Sequence, residues 1–204
     1  MTATPRRWVL ASGNPGKLEE IRALLAAARF DVVPQSAFGV RPAAETGQTF
    51  VENALLKARH AAAATGLPAI ADDSGLVVDA LGGAPGIRSA RFAAPQRGDR
   101  ANIDKLLALL DGVPEERRGA HFYCVIVALA GPADPAPLIG AGMWPGRVTR
   151  APRGARGFGY DPVFFDPQLD ATAAELEPAH KNRVSHRSRA LAAIRRALLA
   201  DTAP

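Results

Sequence analysis

Two adjacent carboxylates, Asp72 and Asp73, followed by Ser74 and Gly75, form the most chemically loaded stretch of this chain. They end the apolar run Ala69-Ile70-Ala71, where charge is costly unless it holds a cation or accepts from backbone amides. In extended backbone, neighbouring side chains point to opposite faces. One acid can therefore serve a site while the other braces the loop. Carboxylates of this kind suit Mg²⁺, which keeps most of its waters and takes substrate phosphates as further ligands. A turn built on Asx hydrogen bonds is the competing reading.

Two upstream segments could handle the phosphates. Ser12-Gly13-Asn14-Pro15-Gly16-Lys17 reads as a strand, a glycine turn and a helix start, so free amides and the positive end of a helix dipole would meet an anion. Lys17 adds a point charge, but the spacing is not that of a Walker loop. A glycine used for turning alone is the alternative. Farther on, Asn53 and Lys57 are four residues apart and share a helical face, either a functional or a solvated one. Glu45 lies in a polar loop twelve residues before Lys57 and could ligate a metal.

Two downstream segments suit a nucleoside. In Gly157-Phe158-Gly159-Tyr160-Asp161-Pro162, glycines bracket an aromatic ring that could stack on a base, unless it packs inward at a β-turn. In Lys181-Asn182-Arg183-Val184-Ser185-His186-Arg187, Ser185 caps a helix and places His186 and Arg187 on its first turn. Positive side chains there oppose the dipole, which points to an anionic or acceptor-rich ligand.

Lysine occupies only four of the 25 Lys/Arg positions, at 17, 57, 105 and 181. Asparagine is equally rare, at 14, 53, 102 and 182. Where a chain dominated by arginine keeps lysine, a compact ammonium is needed that a planar guanidinium cannot replace. The pairs Asn14/Lys17, Asn53/Lys57 and Lys181/Asn182 mark three of the segments above, with chance proximity as the bland reading.

The elements that position these residues alternate at first. Trp8 to Ser12 reads as a strand, Pro15 to Ala28 as a helix and Asp31 to Pro34 as a strand. Thr49 to Ala64 is a helix opened by the capping box Thr49/Glu52. Ala69 to Asp73 is a strand, and Leu76 to Leu81 a second one. Asn102 to Leu110 is a helix. His121 to Ala130 and Leu138 to Val148 form a hairpin, and a last helix runs from Ser185 to Ala200. The pattern predicts an α/β fold with a mixed sheet in one domain over residues 1–204.

The 204 residues suffice for a substantial core, and 48% apolar with 22% charged residues is a globular balance. A single cysteine, Cys124, excludes a disulfide framework, and the four histidines have no zinc-binding spacing. No apolar stretch reaches the roughly 18 residues of a membrane span. The first residues lack signal-peptide anatomy, so a cytoplasmic location is expected. The net charge of +5 comes from scattered basic residues, never runs longer than a pair. A nucleic-acid-binding module is thus the weaker alternative.

In this order and register, six stretches resemble the inosine triphosphate pyrophosphatase family, which hydrolyses non-standard purine nucleoside triphosphates. They are S-G-N-P-G-K at 12–17, E-T-G-Q-T-F-V-E-N-A-L-L-K-A at 45–58, A-D-D-S-G-L at 71–76, G-G-A-P-G at 82–86, F-G-Y-D-P at 158–162 and K-N-R-V-S-H-R at 181–187. The resemblance covers about residues 8–199. It implies an elongated mixed sheet flanked by helices, two lobes with a cleft between them, a homodimer, and Mg²⁺-dependent release of pyrophosphate from ITP, dITP and XTP. By position, residues 12–17, Lys57 and Ser74 would meet the triphosphate. Asp73 would be base and metal ligand, with Glu45 as a second metal carboxylate. Phe158, Gly159, Tyr160, Asp161, Lys181, His186 and Arg187 would hold the nucleoside. A pyrophosphatase for another modified nucleoside triphosphate is the nearest alternative. Arg88 departs from the family, which often carries Tyr after the G-G-A-P-G turn.

Overall fold

The computed structural model describes residues 7–25 and 31–200; residues 26–28, expected to end the first helix, lie outside them. Seven strands form one mixed sheet in the order β2-β1-β3-β4-β5-β6-β7. They are β1 (Arg7–Leu10), β2 (Asp31–Pro34), β3 (Ala69–Val78), β4 (Gly119–Leu129), β5 (Leu138–Val148), β6 (Phe164–Asp166) and β7 (Ala171–Thr172). β1 runs parallel to β2 and β3, while β6 is antiparallel to β5 and β7. The helices are α1 (Pro15–Leu25), α2 (Phe50–Thr65), α3 (Asp99–Leu109), α4 (Pro178–Val184) and α5 (His186–Ala200). No helix of the described residues is long and apolar enough to cross a membrane.

The chain forms two compact units. The first takes residues 1–73, 124–142 and 187–204. Its core packs Trp8, Leu10, Ile70 and Ile126 of the sheet against Ile21 of α1 and Leu191 and Ile194 of α5. α2 opens with the expected capping box: Thr49 Oγ1 accepts from Glu52 N, and the Glu52 carboxylate accepts from Thr49 N at 2.9 Å. It closes on Gly66 in the left-handed region at φ 69°.

The second unit takes residues 74–123 and 143–186. Its core is aromatic, with Phe122, Trp144 and Phe164 in mutual contact. Trp144 donates its indole N–H to Asp166 at 2.7 Å, which satisfies a polar group buried with the ring. Arg118, half of an Arg-Arg pair, lies fully inside and donates to the carbonyls of Leu110, Val148 and Thr149.

One expectation about the chain path needs correction. The acids do not end a strand: β3 runs unbroken from Ala69 through Asp72-Asp73-Ser74-Gly75 to Val78, and residues 79–81 form a 3₁₀ turn. Ser-Gly is a turn signal in isolation. Here Gly75 serves close approach, because a Cβ at that position would overlap Gly86 O and Ser89 Oγ. Ser89 Oγ in turn accepts from Leu76 N at 2.9 Å and donates to Gly86 O at 2.6 Å.

Candidate active site

In the first unit the alternation of β3 separates the two acids onto different partners. Asp72 Oδ2 pairs with Lys17 Nζ at 3.0 Å and with the Arg187 guanidinium at 3.4 Å. Asp73 Oδ1 accepts from Lys57 Nζ at 2.9 Å, and its Oδ2 from Asn53 Nδ2 at 3.3 Å. Asn53 and Lys57 thus use their shared helical face to grip one carboxylate. Lys57 Nζ also donates to Glu45 Oε1 at 3.1 Å, so one ammonium bridges the two expected metal carboxylates.

The turn before α1 differs in detail from expectation. Asn14 caps the helix, its Oδ1 accepting from Lys17 N at 3.1 Å, and Ser12 Oγ accepts from Asn14 N at 3.2 Å. Two of the amides read as free for phosphate are therefore already used. Pro15 fits the first helical position, where no amide is needed. Lys17 reaches Asp72 from the third. Glu20, one turn on, pairs with Arg187 Nη1. For Arg187, the dipole conflict read at the start of α5 is thus answered inside the protein, by Glu20 and Asp72.

The second unit holds the Phe158–Asp161 loop, Lys181 and His186, all read as nucleoside-binding, while Arg187 belongs to the first. Phe158 N donates to Asp161 Oδ2 at 2.9 Å, and Lys181 Nζ donates to the same oxygen at 2.5 Å. Lys181 also lies 4.8 Å from the centroid of the half-buried Phe158 ring. Tyr160 is buried and donates its hydroxyl to Ser89 O at 2.9 Å. His186 is buried with its ring stacked on Phe122 at 4.8 Å. Ser74 follows Asp73 on β3 and is half-buried.

A family model described as the Ham1 family matches residues 8–197. The chain belongs to the Ham1 family. It is 58% identical to a dITP/XTP pyrophosphatase of Erwinia tasmaniensis over 92% of both chains. It is 60% identical to one of Yersinia pseudotuberculosis, over 90% of this chain and 93% of that one. Among solved structures, a HAM1 protein from Coxiella burnetii superposes with TM-score 0.87 at 49% identity, covering 95% of this chain and 98% of that one. The Staphylococcus aureus Ham1 protein gives 0.84 at 38% identity, over 97% of this chain and 100% of that one.

Burial sets the electrostatics of this Ham1 site. It is the main force holding the Asp73 carboxyl above its ordinary value; Lys57 and Lys17 pull the other way and Glu45 adds to the rise. Burial also works against Lys57, yet Asp72, Asp73 and Glu45 together keep it above the ordinary lysine value. Burial brings Arg187 down to about 10 and raises Asp161 against the pull of Lys181. In the first unit the carboxylates of Glu20, Glu45, Asp72 and Asp73 interleave with the cations Lys17, Lys57 and Arg187.

That donor set fits Mg²⁺. Two hard carboxylates already converge on one cation, the Lys57 ammonium. No group of three or more metal-ligating side chains occurs among the described residues, and Mg²⁺ is commonly held by one or two carboxylates plus substrate oxygens.

Sequence reasoning missed Glu20 and gave Asp72 no named partner. It also passed over Asn102 and Lys105, a fourth close pair of the two rare residue types. Asn102 accepts from Ala93 N at 2.8 Å, and Lys105 donates to Phe92 O at 2.7 Å. The pair fixes the segment at 90–93, and its spacing was the signal available.

Proposed function

We propose that this chain hydrolyses deaminated purine nucleoside triphosphates (dITP, ITP and XTP) to the nucleoside monophosphate and pyrophosphate, and so cleanses the nucleotide pool. The observation that carries this reading is the pairing of consecutive acids with separate lysines, Asp72 with Lys17 and Asp73 with Lys57. Such an array can neutralise a polyphosphate and hold a carboxylate ready as base. The dITP/XTP pyrophosphatase names of relatives at 58–60% identity support the same substrate class.

Phosphoryl transfer asks for positioning and charge neutralisation more than covalent chemistry. Lys17, Lys57, Ser74 and the turn at residues 12–17 would hold the triphosphate. Mg²⁺, held by Asp73 and Glu45, would draw charge from the phosphates and make water a better nucleophile. Asp73 would orient and deprotonate a water for attack at the α-phosphorus, with pyrophosphate leaving. Asn53 fixes the second oxygen of Asp73, which holds the carboxylate in one orientation. When the triphosphate takes over part of the Lys57 charge, the hold of that ammonium on Asp73 weakens and its basicity rises.

On the nucleoside side, Phe158 would stack on the purine, with Gly159, Tyr160 and Asp161 shaping the loop. Lys181, His186 and Arg187 would face the 6-oxo group, Arg187 from a side chain anchored on Glu20 and Asp72. Adenine offers a 6-amino donor there, and a donor facing a donor costs on the order of 1–3 kcal/mol per group. The proposal extends to a homodimer working on free nucleotides in the cytoplasm. A panel of ITP, dITP, XTP, ATP, dGTP and a modified pyrimidine triphosphate with pyrophosphate detection tests it. Turnover confined to the first three is expected. Equal turnover of ATP, or selectivity for a modified pyrimidine triphosphate, would reject it.

A further inference from the structure

The Phe158–Asp161 loop is tied down from outside itself at more than one point. Tyr160 reaches Ser89 O, and Gly159 N donates to Asp99 Oδ2 at 2.6 Å. Asp99 is the first residue of α3, where the helix dipole favours a carboxylate. The same end of α3 is fixed to the preceding segment by Asn102 and Lys105. Asp99 is therefore an exposed carboxylate presented by an anchored element.

Its target is one peptide unit. The N–H of the Phe158–Gly159 peptide goes to Asp99, and the carbonyl of the same peptide accepts from Asp161 N at 3.3 Å. The preceding amide, Phe158 N, is held by Asp161. With both neighbouring peptides fixed, the Cα–Cβ direction of Phe158 is set, and the ring has only its side-chain torsions left. Gly157 and Gly159 both adopt left-handed conformations, at φ 76° and 61°, and leave the loop few steric restraints of its own.

We propose that Asp99 is a positioning residue for the purine platform: by holding Gly159 N–H it sets the plane in which the Phe158 ring meets the base. The inference rests on the nucleoside-binding reading of the Phe158–Asp161 loop. Because stacking does not distinguish purines, Asp99 governs affinity for the nucleoside part and leaves selectivity and the chemical step alone.

The test measures KM and kcat for dITP and ATP in Asp99→Ala, Asp99→Asn, Phe158→Ala and the Asp99→Ala/Phe158→Ala double variant. Thermal melting confirms folding, and inorganic tripolyphosphate serves as a base-free inhibitor. Loss of one charge-assisted hydrogen bond should raise KM for dITP about tenfold in Asp99→Ala, with kcat within about twofold. Asp99→Asn keeps an acceptor oxygen and should recover most of that loss. Tripolyphosphate inhibition and the dITP/ATP ratio of kcat/KM should stay as in the wild type. In the Phe158→Ala background, Asp99→Ala should add less than about twofold, since both act through one ring. An unchanged KM in Asp99→Ala, or its full effect persisting without the Phe158 ring, would overturn the role of Asp99. Phe158→Ala with wild-type KM would instead overturn the nucleoside-loop reading, and the proposal with it.

Discussion

Replacing Lys57 with methionine isolates the charge balance on which the site is built. The ammonium lies 2.9 Å from Asp73 and 3.1 Å from Glu45, with only 12% of its side chain exposed. Methionine keeps most of the volume and leaves two carboxylates facing each other. Breaking a buried pair on one side costs about 3–5 kcal/mol. Glu45 is 28% exposed and can turn toward water, so the lower end applies, about 3 kcal/mol. For a chain of this length that lowers Tm by about 6–12 °C. The folded state holds Lys57 above its ordinary 10.5. Its contribution is therefore complete below that pH and is lost as pH rises through the folded value. The Tm gap between wild type and Lys57→Met should be constant from pH 6 to 9 and close in strong alkali. MgCl2 should narrow it too, since at saturation a cation held tenfold more tightly by the variant, which lacks the competing ammonium, returns about 1.4 kcal/mol. Calorimetry with and without MgCl2 reads all three effects. A Tm within 2 °C of wild type at pH 7.5 would refute the reasoning.

Asp73→Asn should fold normally and lose about 10²–10⁴-fold in kcat; near-normal turnover would remove Asp73 as base. Because burial raises Asp73, the wild-type kcat/KM should rise with pH through a midpoint above the ordinary Asp value, a limb that Asp73→Asn should lack. Arg187→Met takes one cation from Glu20 and one from Asp72, which keeps Lys17, and should cost about 3 kcal/mol in urea unfolding; a loss under 1 kcal/mol would show that the ion pairs contribute little. Gly75→Ala should destabilise by about 1–3 kcal/mol or more, since backbone at Gly86 must shift; a wild-type Tm would contradict the close approach described for β3.

What the sequence made legible was local. The capping box of α2 spans four residues and needs no tertiary information, and the structure reproduces it. The alternation at Asp72 and Asp73 likewise follows from strand geometry alone, once the strand is known. The persistence of lysine in an arginine-rich chain pointed to Lys17, Lys57 and Lys181, each of which now pairs with a buried aspartate. The continuation of β3 could not be read, because the use of Gly75 lies in Gly86 and Ser89, which reach it only through tertiary packing. Arg187 carried a visible conflict with its own helix, but its partners are 115 and 167 residues away. The free amides expected at residues 12–17 failed for a shorter-range reason: Ser12 and Asn14 side chains compete with any ligand for those donors.

The central claim is that a water positioned by Asp73 attacks the α-phosphorus of a deaminated purine triphosphate. Single-turnover hydrolysis of dITP in ¹⁸O-enriched water, followed by mass spectrometry of both products, tests it most directly. The account predicts one ¹⁸O atom in dIMP and none in the released pyrophosphate. Label in pyrophosphate, or 2′-deoxyinosine diphosphate and orthophosphate as products, would contradict it.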